Sequence, residues 1–463
     1  MKCVYKDVSS LDQKCYKNYL LSEDLLMEHA AMGLKNALPQ DAKTVLIVSG
    51  PGNNGADGIA LARMIQAEYE RVILMLPFGA KSQMAQLQFK RAQSVGVEVT
   101  EKPVETDVVV DALFGSGLSK PLNETAIALI DALNSFESYK IACDIPTGID
   151  LNGNIRDNAF VADITVTMGA RKNALYSDIA KDYVGEIVCA DLGVSHLLYE
   201  DKTNTFLLEI EDLKLPLRQS KNCHKGNFGH LNVIAGKKAG AGIIAAEAAY
   251  AFGAGLVTVV ENEPYTVPYE LMSSTTLTGH ATAICIGMGL GNQFDNCYLE
   301  KFLIDHELPV LIDADLFYHD ILKEVLQSKK NLVLTPHPKE FSSLLKITGF
   351  GDVSVSEIQA DRFGWAERFS ARYPELVLVL KGANTLIAHQ QKIYIQPFGS
   401  NVLSKGGSGD VLGGLIASLL AQGYTLLDAA VSGSIAHALS AANFAKNNYA
   451  LRPFDLIEGV KRL

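Results

Sequence analysis

The sequence lacks several features that mark common classes of protein. Its seven cysteines are scattered and never form a CxxC pair, which argues against a zinc site and favours free thiols in a reducing compartment. Lysine and arginine do not cluster, and the formal net charge is −11, so no nucleic acid partner is expected. No apolar run is long enough to span a membrane, and the polar N-terminus has no signal-like apolar region. Together these absences predict a soluble, cytoplasmic protein that binds neither membranes nor nucleic acids.

Apolar residues and glycines, by contrast, are abundant. Of the 463 residues, 48% are hydrophobic and 38 are glycine, which is enough apolar material for more than one core. Length alone fits about two or three domains. The stretch 195–226 is charged and irregular, and we place a boundary inside it, which gives domains of residues 1–212 and 213–463.

The first half begins with helical periodicity over residues 9–38 and then changes to strand-like runs. Residues 44–48 form a short β-branched run, residues 50–58 a glycine-rich loop, and residues 72–76 a second apolar run. A helical stretch over residues 59–68 lies between the loop and the second run. This βαβ unit predicts an α/β domain with a parallel sheet between layers of helices.

The glycine-rich loop formally matches the GxGxxG pattern of dinucleotide-binding domains at residues 50–55. An acidic residue should end the next strand to hold a ribose hydroxyl, but the chain reads Leu-Pro-Phe-Gly at residues 76–79. A hydride-transfer domain is therefore disfavoured. Asn53, Asn54 and Asp57 in the same loop offer oxygen ligands, although turn formation explains such residues equally well.

Two further strands end in aspartate followed by glycine. Asp111 lies in the run 107–114, which ends in the turn 115–118, and Asp144 precedes Thr147 in a Pro-Thr-Gly turn. The carboxyl ends of parallel strands meet at one edge of the sheet, where ligands bind in doubly wound domains. Hard oxygen ligands there suit an alkali or alkaline-earth cation, and a carboxylate there can move protons. Each aspartate alone could simply cap the next helix, but three glycine-flanked strand ends favour a ligand site.

The second half repeats the pattern of strand, turn and helix several times. Turns follow apolar runs at residues 236–242, 287–291, 313–315, 335–338 and 381–385. Because each of them comes at the carboxyl end of a strand, this half also predicts an α/β domain with its site at one edge of the sheet.

Two residues in these turns have both a structural and a functional interpretation. His337 lies between two prolines and cannot lie inside a helix, and a lone histidine is more often a structural hydrogen-bonding residue than a ligand. Lys381 could contact a nucleotide phosphate or simply be solvated. The later Gly-Gly-Ser-Gly-Asp turn at residues 406–410, which enters an apolar helical run at residues 411–420, favours the functional interpretation of the lysine.

Glycines at a helix entrance leave backbone N–H groups free to bind an anion, and the helix dipole adds partial positive charge there. Asp410 ends this turn, and by position alone it would be a helix N-cap. Together with residues 381–385, the arrangement predicts a nucleotide-holding turn, an anion-binding helix N-terminus and a carboxylate that polarises a hydroxyl group.

The turn at residues 406–410 makes the second half resemble the ribokinase-like family, and within it the NAD(P)H-hydrate dehydratases. The narrower resemblance rests on four further motifs: His224-Lys225-Gly226, Gly287-Met288-Gly289-Leu290-Gly291, Thr335-Pro336-His337-Pro338 and Lys381-Gly382-Ala383-Asn384-Thr385. The first half is similar to the NAD(P)H-hydrate epimerases in three motifs: residues 50–55, Asp111 with residues 115–118, and Asp144-Ile145-Pro146-Thr147-Gly148. In this order the motifs resemble the bifunctional NAD(P)H-hydrate repair enzymes over nearly the whole chain.

The resemblance implies an α/β fold in two parts: a Rossmann-like, three-layer domain with a parallel sheet, followed by a ribokinase-like α/β domain. In the first domain it implies that Asp144 binds the hydrated cofactor and assists proton transfer during epimerisation. It also implies a potassium ion held by Asn54, Asp111 and Thr147. The residues expected to cradle the substrate there are Asn53, Asn54, Gly55, Ala56, Asp57, Gly115, Ser116, Gly117, Leu118, Ser119, Lys120 and Pro121.

For the second domain the resemblance implies a nucleotide-dependent dehydratase that uses Mg²⁺, with ADP expected as the nucleotide. Asp410 would take the proton of the ring hydroxyl, which then attacks the terminal phosphate, and loss of phosphate restores NADH or NADPH. The residues expected to hold ADP are Lys381, Gly382, Ala383, Asn384, Thr385 and Gly409. Those expected to line the hydrated-cofactor site are Ala239, Gly289, Gly291, His337 and Asp410. We also expect a homo-oligomer.

The sequence departs from the family pattern at three positions. Ala56 and Lys339 stand where glycine is usual, and Thr147 replaces a frequent serine while keeping the hydroxyl group. Ala56 could narrow the approach of the epimerase loop to its substrate. Two alternatives stay open: a ribokinase-like kinase that phosphorylates a small alcohol, and a first domain that binds a ligand without catalysis.

Overall fold

The computed structural model describes residues 1–118, 120–261, 266–291 and 296–463. The chain divides into two compact units, one of Cys3–Thr203 and one of Asn204–Leu463 together with Met1–Lys2. The sequence analysis divided the chain at residue 212 instead. Residues 204–212 fall in the second unit because Thr205–Leu207 is a strand that pairs in parallel with Lys392–Gln396. Within the described ranges, no helix is long and apolar enough to cross a membrane.

The first unit alternates strands and helices. Its strands are β1 Lys2–Tyr5, β2 Thr44–Ser49, β3 Arg71–Met75, β4 Glu98–Thr100, β5 Val108–Ala112, β6 Tyr139–Cys143, β7 Ile164–Met168, β8 Arg171–Lys172 and β9 Glu186–Ala190. Its helices are α1 Ser9–Asn18, α2 Glu23–Asn36, α3 Asn53–Ile65, α4 Gln83–Ser94, α5 Glu124–Ser135, α6 Lys181–Val184 and α7 His196–Tyr199. The two opening helices confirm the periodicity seen over residues 9–38.

The sheet of the first unit is parallel, with the order β4-β3-β2-β5-β6-β7-β9. The chain runs outward from β2 in one direction and from β5 in the other, so the order reverses between these two strands. A crevice opens at such a reversal, outside the carboxyl ends of the strands. The loops after β2, β5 and β6 therefore meet at one place.

Helices cover both faces of this sheet, which confirms the predicted three-layer α/β class. Val45 and Ile47 of β2 belong to one core cluster with residues of α2, α3 and α4. Leu46 and Val48 of the same strand belong to a second cluster, with Leu129 and Leu133 of α5. Successive side chains of a strand point to opposite faces, so a strand that is apolar at every position is buried on both.

The second unit has the same alternation. Its strands are β10 Thr205–Leu207, β11 His230–Ile234, β12 Leu256–Val260, β13 Met272–Ser274, β14 Ala283–Ile286, β15 Val310–Ile312, β16 Leu332–Leu334, β17 Val377–Leu380, β18 Thr385–His389 and β19 Lys392–Gln396. Its helices are α8 Ala239–Ala251, α9 Asn296–Leu303, α10 Leu322–Ser328, α11 Pro338–Ile347, α12 Val355–Ala360, α13 Arg362–Arg372, α14 Ser408–Ala421, α15 Leu426–Ala442 and α16 Pro453–Val460.

Strands of the second unit lie in the order β13-β12-β11-β14-β15-β16-β17-β18-β19-β10. The sheet is parallel from β13 to β17, and the β17-β18-β19 meander that follows is antiparallel. The carboxyl ends of β11, β14, β15, β16 and β17 consequently meet at one edge of the sheet. This arrangement confirms the predicted α/β class of the second half.

Helices at both candidate sites begin earlier than the sequence analysis placed them. Helix α3 starts at Asn53 rather than near residue 59, and α14 starts at Ser408 rather than at residue 411. In both cases, the polar residues that were predicted to belong to a loop form the first turn of the helix. The first N–H groups of a helix have no partner within the helix, so these early starts place free donors beside the predicted site residues.

Candidate active sites

The crevice of the first unit contains a cavity of about 390 Å³. It is lined by the loops after β2, β5 and β6 and by the chain near α1, through Val8, Asp12, Pro51, Gly52, Asn53, Asn54, Asp57, Leu113, Phe114, Gly115, Ser116, Gly117, Asp144 and Met168. The predicted residues Asn53, Asn54, Asp57 and Asp144 and the predicted turn 115–117 thus line one cavity. Their roles in binding or catalysis stay predictions.

Of the remaining residues predicted to cradle the substrate, those that the structure describes do not line this cavity. Lys120 and Pro121 are exposed, and Ser119 lies outside the described residues. Gly55 is buried in the first turn of α3, and the methyl group of Ala56 is fully buried in the core, so it does not narrow the approach to the cavity. Leu118 is partly exposed beyond the cavity wall.

Glycine allows the loops around this cavity to touch. A Cβ atom on Gly50 would lie 1.7 Å from the carbonyl oxygen of Leu113, so no other residue fits where the loops after β2 and β5 meet. A Cβ atom on Gly115 would lie 2.7 Å from Asn54 Oδ1 and 3.2 Å from Asp144 Oδ2. Two predicted site residues therefore approach Gly115 from two different loops.

Asp144 has an unusual backbone and an unexpected partner. Its φ angle is 68°, in the left-handed region that is uncommon for a residue with a side chain. Its Oδ1 accepts hydrogen bonds from Lys172 Nζ at 2.6 Å and from the Met168 N–H at 3.1 Å. Lys172 is only 1% exposed. No role was predicted for this lysine from the sequence, although it follows the end of the apolar run of β7 by only four residues.

Further carboxyl groups face the same cavity. Burial, and then the negative charge of Asp144, raises the pKa of Asp57 well above its usual range. Burial also raises the pKa of Asp12, whose Oδ1 accepts a hydrogen bond from the Tyr199 hydroxyl at 2.7 Å. Asp57, whose raised pKa favours its protonated form, therefore lines the same cavity as Asp144. Asp144 itself forms an ion pair with Lys172.

Asp111 and Thr147 lie behind the cavity wall as a buried, hydrogen-bonded pair. The carboxylate accepts hydrogen bonds from the Thr147 N–H at 2.8 Å and from its hydroxyl at 2.7 Å. The Thr147 hydroxyl also lies 3.2 Å from the Phe114 carbonyl oxygen. Burial raises the pKa of Asp111 to about 6. Carboxylate, hydroxyl and carbonyl oxygens thus come together at one point.

Asn54, the third predicted potassium ligand, has an unsatisfied side chain. Its Nδ2 is buried and has no hydrogen-bond partner among the described residues. A half-turn of the amide would present the oxygen at the same position. Within the described part of the chain, no group of three or more His, Cys, Asp or Glu could hold a metal. A cation here would therefore depend on mixed oxygen ligands, which these residues can supply.

In the second unit, Asp410 lies in the first turn of α14. This helix is entered through Gly407, whose φ of 90° suits glycine and which forms the N-cap. Asp410 is partly exposed, so its carboxyl is not sealed in a core. Burial, and then the charge of Asp313, raises the pKa of Asp410 to about 6, against the opposing effect of Lys381. A carboxyl group with such a pKa is ionised at neutral pH and is a better base than an ordinary aspartate.

Lys381 faces the N-terminus of α14. Its Nζ lies 2.8 Å from Asp313 Oδ1 and 3.6 Å from Glu340 Oε2, and a Cβ atom on Gly409 would lie 3.6 Å from it. Burial alone would lower the pKa of Lys381, but the two carboxylates outweigh burial and raise it. The ammonium is therefore charged and held next to the helix entrance. Asp313 appeared in the sequence analysis only as a strand-end residue without a role.

The predicted nucleotide-holding turn is fixed by a buried arginine. The guanidinium of Arg362 donates hydrogen bonds to the carbonyl oxygens of Leu380, Lys381 and Asn384, each at 3.1 Å. Within this turn, Gly382 and Ala383 are exposed, Asn384 is buried and Thr385 begins β18. Nothing in the sequence marked Arg362, which directly follows Asp361 at the start of α13.

His337 is the N-cap of α11. Its Nδ1 accepts hydrogen bonds from the N–H groups of Lys339 and Glu340, and its Nε2 lies 3.2 Å from Glu340 Oε1. Burial, and then Lys381, lowers the pKa of His337, whereas burial raises that of Glu340 to about 7. The structural interpretation of this histidine therefore holds, while its side chain remains 46% exposed and available to a ligand.

The other residues predicted to line the hydrated-cofactor site lie in the loops after β11 and β14. Ala239 begins α8, and the Gly291 N–H donates a hydrogen bond to Asp315 Oδ2 at 2.8 Å. A Cβ atom on Gly289 would lie 2.4 Å from the Lys238 carbonyl oxygen, so the two loops are in close contact. These loops lie at the edge of the sheet where Asp313 and Lys381 also follow their strands.

Comparison with known proteins gives a family for both units. A family model described as NAD(P)H-hydrate dehydratase matches residues 231–462, and one described as YjeF-related protein N-terminus matches residues 23–174. The bifunctional NAD(P)H-hydrate repair enzyme Nnr of Helicobacter pylori is 46% identical over 480 aligned residues, covering 100% of both chains. The enzyme of the same name from Coxiella burnetii is 34% identical and covers 95% of this chain and 94% of its own.

Among solved structures, the ADP/ATP-dependent NAD(P)H-hydrate dehydratase from Bacillus subtilis co-crystallised with ATP/Mg²⁺ is 27% identical, with a TM-score of 0.46. The match covers 53% of this chain and 92% of that one. The family models together match both units, and the relatives match the chain over its whole length. The chain belongs to the family of bifunctional NAD(P)H-hydrate repair enzymes.

Proposed function

We propose that this chain repairs hydrated NADH and NADPH in two steps. The first unit interconverts the R and S hydrates, and the second unit dehydrates the S hydrate while ADP is converted to AMP and phosphate. The observation that carries the proposal is the position of Asp410: a partly exposed carboxyl at the entrance of α14, next to the Lys381 ammonium.

The dehydration follows from these groups. Asp410 takes the proton of the ring hydroxyl, whose oxygen attacks the terminal phosphate of the nucleotide. The free N–H groups at the start of α14 and the Lys381 ammonium stabilise the negative charge on the transferred group. Elimination of phosphate then restores the dihydronicotinamide, because phosphate is a far better leaving group than hydroxide. Residues 381–385 and Gly409 hold the nucleotide, and Ala239, Gly289, Gly291 and His337 line the place of the hydrated ring.

Mg²⁺ is part of the proposal. When bound, it would supply positive charge to the phosphate oxygens, and a nucleotide-bound Mg²⁺ needs only one or two protein carboxylates. Asp313 and Glu340 both face Lys381 and are the candidates for this role.

In the first unit, we propose that Asp144 binds the hydrated ring and moves the proton during epimerisation. Asn54, Asp111 and Thr147 hold a potassium ion through their oxygen atoms, and the lining residues of the cavity cradle the substrate. We further propose a cytoplasmic location, which the odd number and the scattered positions of the seven cysteines support. A homo-oligomer stays a prediction that light scattering of the purified chain would test.

The proposal is tested with hydrated NADH and either ADP or ATP. Recovery of NADH absorbance together with AMP and phosphate is the expected result with ADP. A stable phosphorylated product would instead indicate a kinase. We expect Asp410→Asn to lower kcat for dehydration by about 10² to 10⁴, the usual contribution of general base catalysis.

The exposed residue Asp320 supplies the matched control for this variant. Asp320→Asn removes the same charge away from the helix entrance and should leave kcat unchanged. Equal activity of the Asp410→Asn variant and the native chain would exclude Asp410 as the base.

A further inference from the structure

Lys172 is a buried lysine that the proposed mechanism does not yet use. It lies on β8, pairs with Tyr5 of β1 and is only 1% exposed, among the largest fully buried side chains of the chain. A buried ammonium is costly unless it is paired and hydrogen bonded. We therefore expect the buried ammonium of Lys172 to be paired with a carboxylate.

The ammonium is held at several points besides Asp144. Its Nζ lies 2.9 Å from Thr167 Oγ1, 3.1 Å from the Met168 carbonyl oxygen and 3.4 Å from the Ala170 carbonyl oxygen. All three acceptors belong to the end of β7 and the turn that follows it. The end of β7 and the turn after it thus fix the position of the Lys172 ammonium, and Asp144 Oδ1 lies 2.6 Å from it.

The two oxygens of Asp144 face different surroundings. Oδ1 accepts hydrogen bonds from Lys172 Nζ, from the Met168 N–H and from the Thr167 hydroxyl. Oδ2 lies beside Gly115, whose backbone forms part of the cavity wall. The backbone N–H of Asp144 donates to the Val166 carbonyl oxygen at 2.8 Å, which holds the residue in its left-handed conformation. One oxygen is anchored, and the other is presented to the cavity.

We propose that Lys172 is a positioning residue for epimerisation: its buried ammonium balances the charge of Asp144 and anchors Oδ1 so that Oδ2 faces the hydrated ring. This inference rests on the proposed function of the first unit. Lys172 does not touch the substrate and takes no part in the proton transfer. Oδ2 of Asp144 takes the proton of the ring hydroxyl as the bond between the hydroxyl-bearing carbon and the ring nitrogen breaks, which leaves an aldehyde. The nitrogen then closes on the other face of the carbonyl group and Oδ2 returns the proton to its oxygen, so the carboxylate is regenerated.

The test measures the interconversion of the two hydrate epimers by the full chain, without nucleotide, for the variants Lys172→Met, Asp144→Asn and the combination of both. Lys172→Met should lower kcat about 10²-fold, the lower end of what a positioned proton-transfer group contributes. KM should stay nearly constant, because Lys172 does not contact the substrate. In the Asp144→Asn background, Lys172→Met should have no further effect on kcat.

Lys140→Met is the matched control. Lys140 lies on β6, the strand that leads to Asp144, and among the described residues its Nζ donates to the Phe136 carbonyl oxygen alone. A purely structural lysine would lower the melting temperature without changing kcat of the folded fraction. The inference is overturned if Lys172→Met lowers only the melting temperature and leaves kcat of the folded fraction unchanged. It is also overturned if kcat of Lys172→Met equals that of Lys140→Met.

Two outcomes separate this inference from the proposed function. If Asp144→Asn interconverts the epimers as fast as the native chain, the proposed function of the first unit fails. If Asp144→Asn is inactive while Lys172→Met is fully active, only the inference about Lys172 fails. Should Lys172→Met not fold, Lys172→Arg keeps the charge but shifts it. That variant should lose kcat at constant KM, and a native kcat would overturn the inference.

Discussion

At the scale of single residues, each proposed site contains a carboxyl group that interacts with the charge of a lysine. Asp410 has its pKa raised to about 6 by burial and by Asp313, while Lys381 opposes the shift. Asp144 is instead paired with Lys172. Asp313 and Lys172 each come from a part of the chain distant from the carboxyl group that they influence. For that reason neither of them was given a role from the sequence.

The acidity of Asp410 leads to a pH prediction. Asp410 must be ionised to accept a proton, so kcat/KM for the hydrate should fall as the pH drops below about 6, the pKa of this group. Lys381 lowers that pKa, so Lys381→Met should raise it and move the acid limb to higher pH. The measurement is the initial dehydration rate against pH at saturating ADP.

Lys330→Met is the control for the pH profile, because the Lys330 side chain is 78% exposed and its ion-pair partner is the exposed Glu375. This variant should keep the native profile. An acid limb that does not move in the Lys381→Met variant would show that the ammonium has no influence on the base.

At the scale of secondary structure elements, α14 combines two features. Its N-terminus at residues 407–410 is the proposed anion-binding entrance, and its middle is in close contact with α8. A Cβ atom on Gly414 would lie 2.2 Å from the Ala245 carbonyl oxygen of α8, whereas one on Gly409 would meet only Lys381 Nζ at 3.6 Å. Helix α8 is rich in alanine and glycine, and these small residues allow the two helices to approach closely. Gly409 thus leaves space beside the Lys381 ammonium, whereas Gly414 allows α14 and α8 to pack closely.

These two glycines make a matched pair of variants. Gly414→Ala should destabilise the chain by about 1–3 kcal/mol through overpacking against α8. Gly409→Ala should not destabilise it, since alanine favours the helix by up to about 1 kcal/mol. Its methyl group would instead occupy the anion-binding entrance and raise KM for ADP by about tenfold, equivalent to ~1.4 kcal/mol.

Denaturant unfolding and steady-state kinetics of both variants test this contrast. Loss of stability in the Gly409→Ala variant with unchanged KM for ADP would contradict the assignment of the entrance as the nucleotide site.

The elements themselves were largely predictable. The strands at residues 44–48 and 72–76 were read within one residue of Thr44–Ser49 and Arg71–Met75, because apolar runs bounded by glycine and charge leave few alternatives. The starts of α3 and α14 were placed too late. Asparagine, glycine and serine there favour turns locally, and only the packing of the loops after neighbouring strands decides that they form helical turns.

At the scale of the whole molecule, the division of the chain can be tested by expressing the units separately. Leu207 and Leu208 are buried with the second unit, and β10 extends its sheet beside β19. A second unit that begins at residue 204 should therefore be more stable than one that begins at residue 213. Burial of each leucine contributes about 1.5–3 kcal/mol.

Melting temperatures and dehydratase activity of the two versions test this difference. Equal stability would show that residues 204–212 add nothing to the second unit and would favour the boundary read from the sequence.

The sequence by itself determined the α/β class, the order of the two units and the strand-end residues that line each site, because periodicity and glycine turns are local properties. Tertiary structure alone decided which charges meet. Lys172 and Asp144 are separated by 28 residues, and Lys381 and Asp313 by 68. Arg362 contacts the nucleotide turn only because α13 packs beside β17 and β18. Such pairs depend on which strands become neighbours, and no local pattern in the sequence encodes that choice.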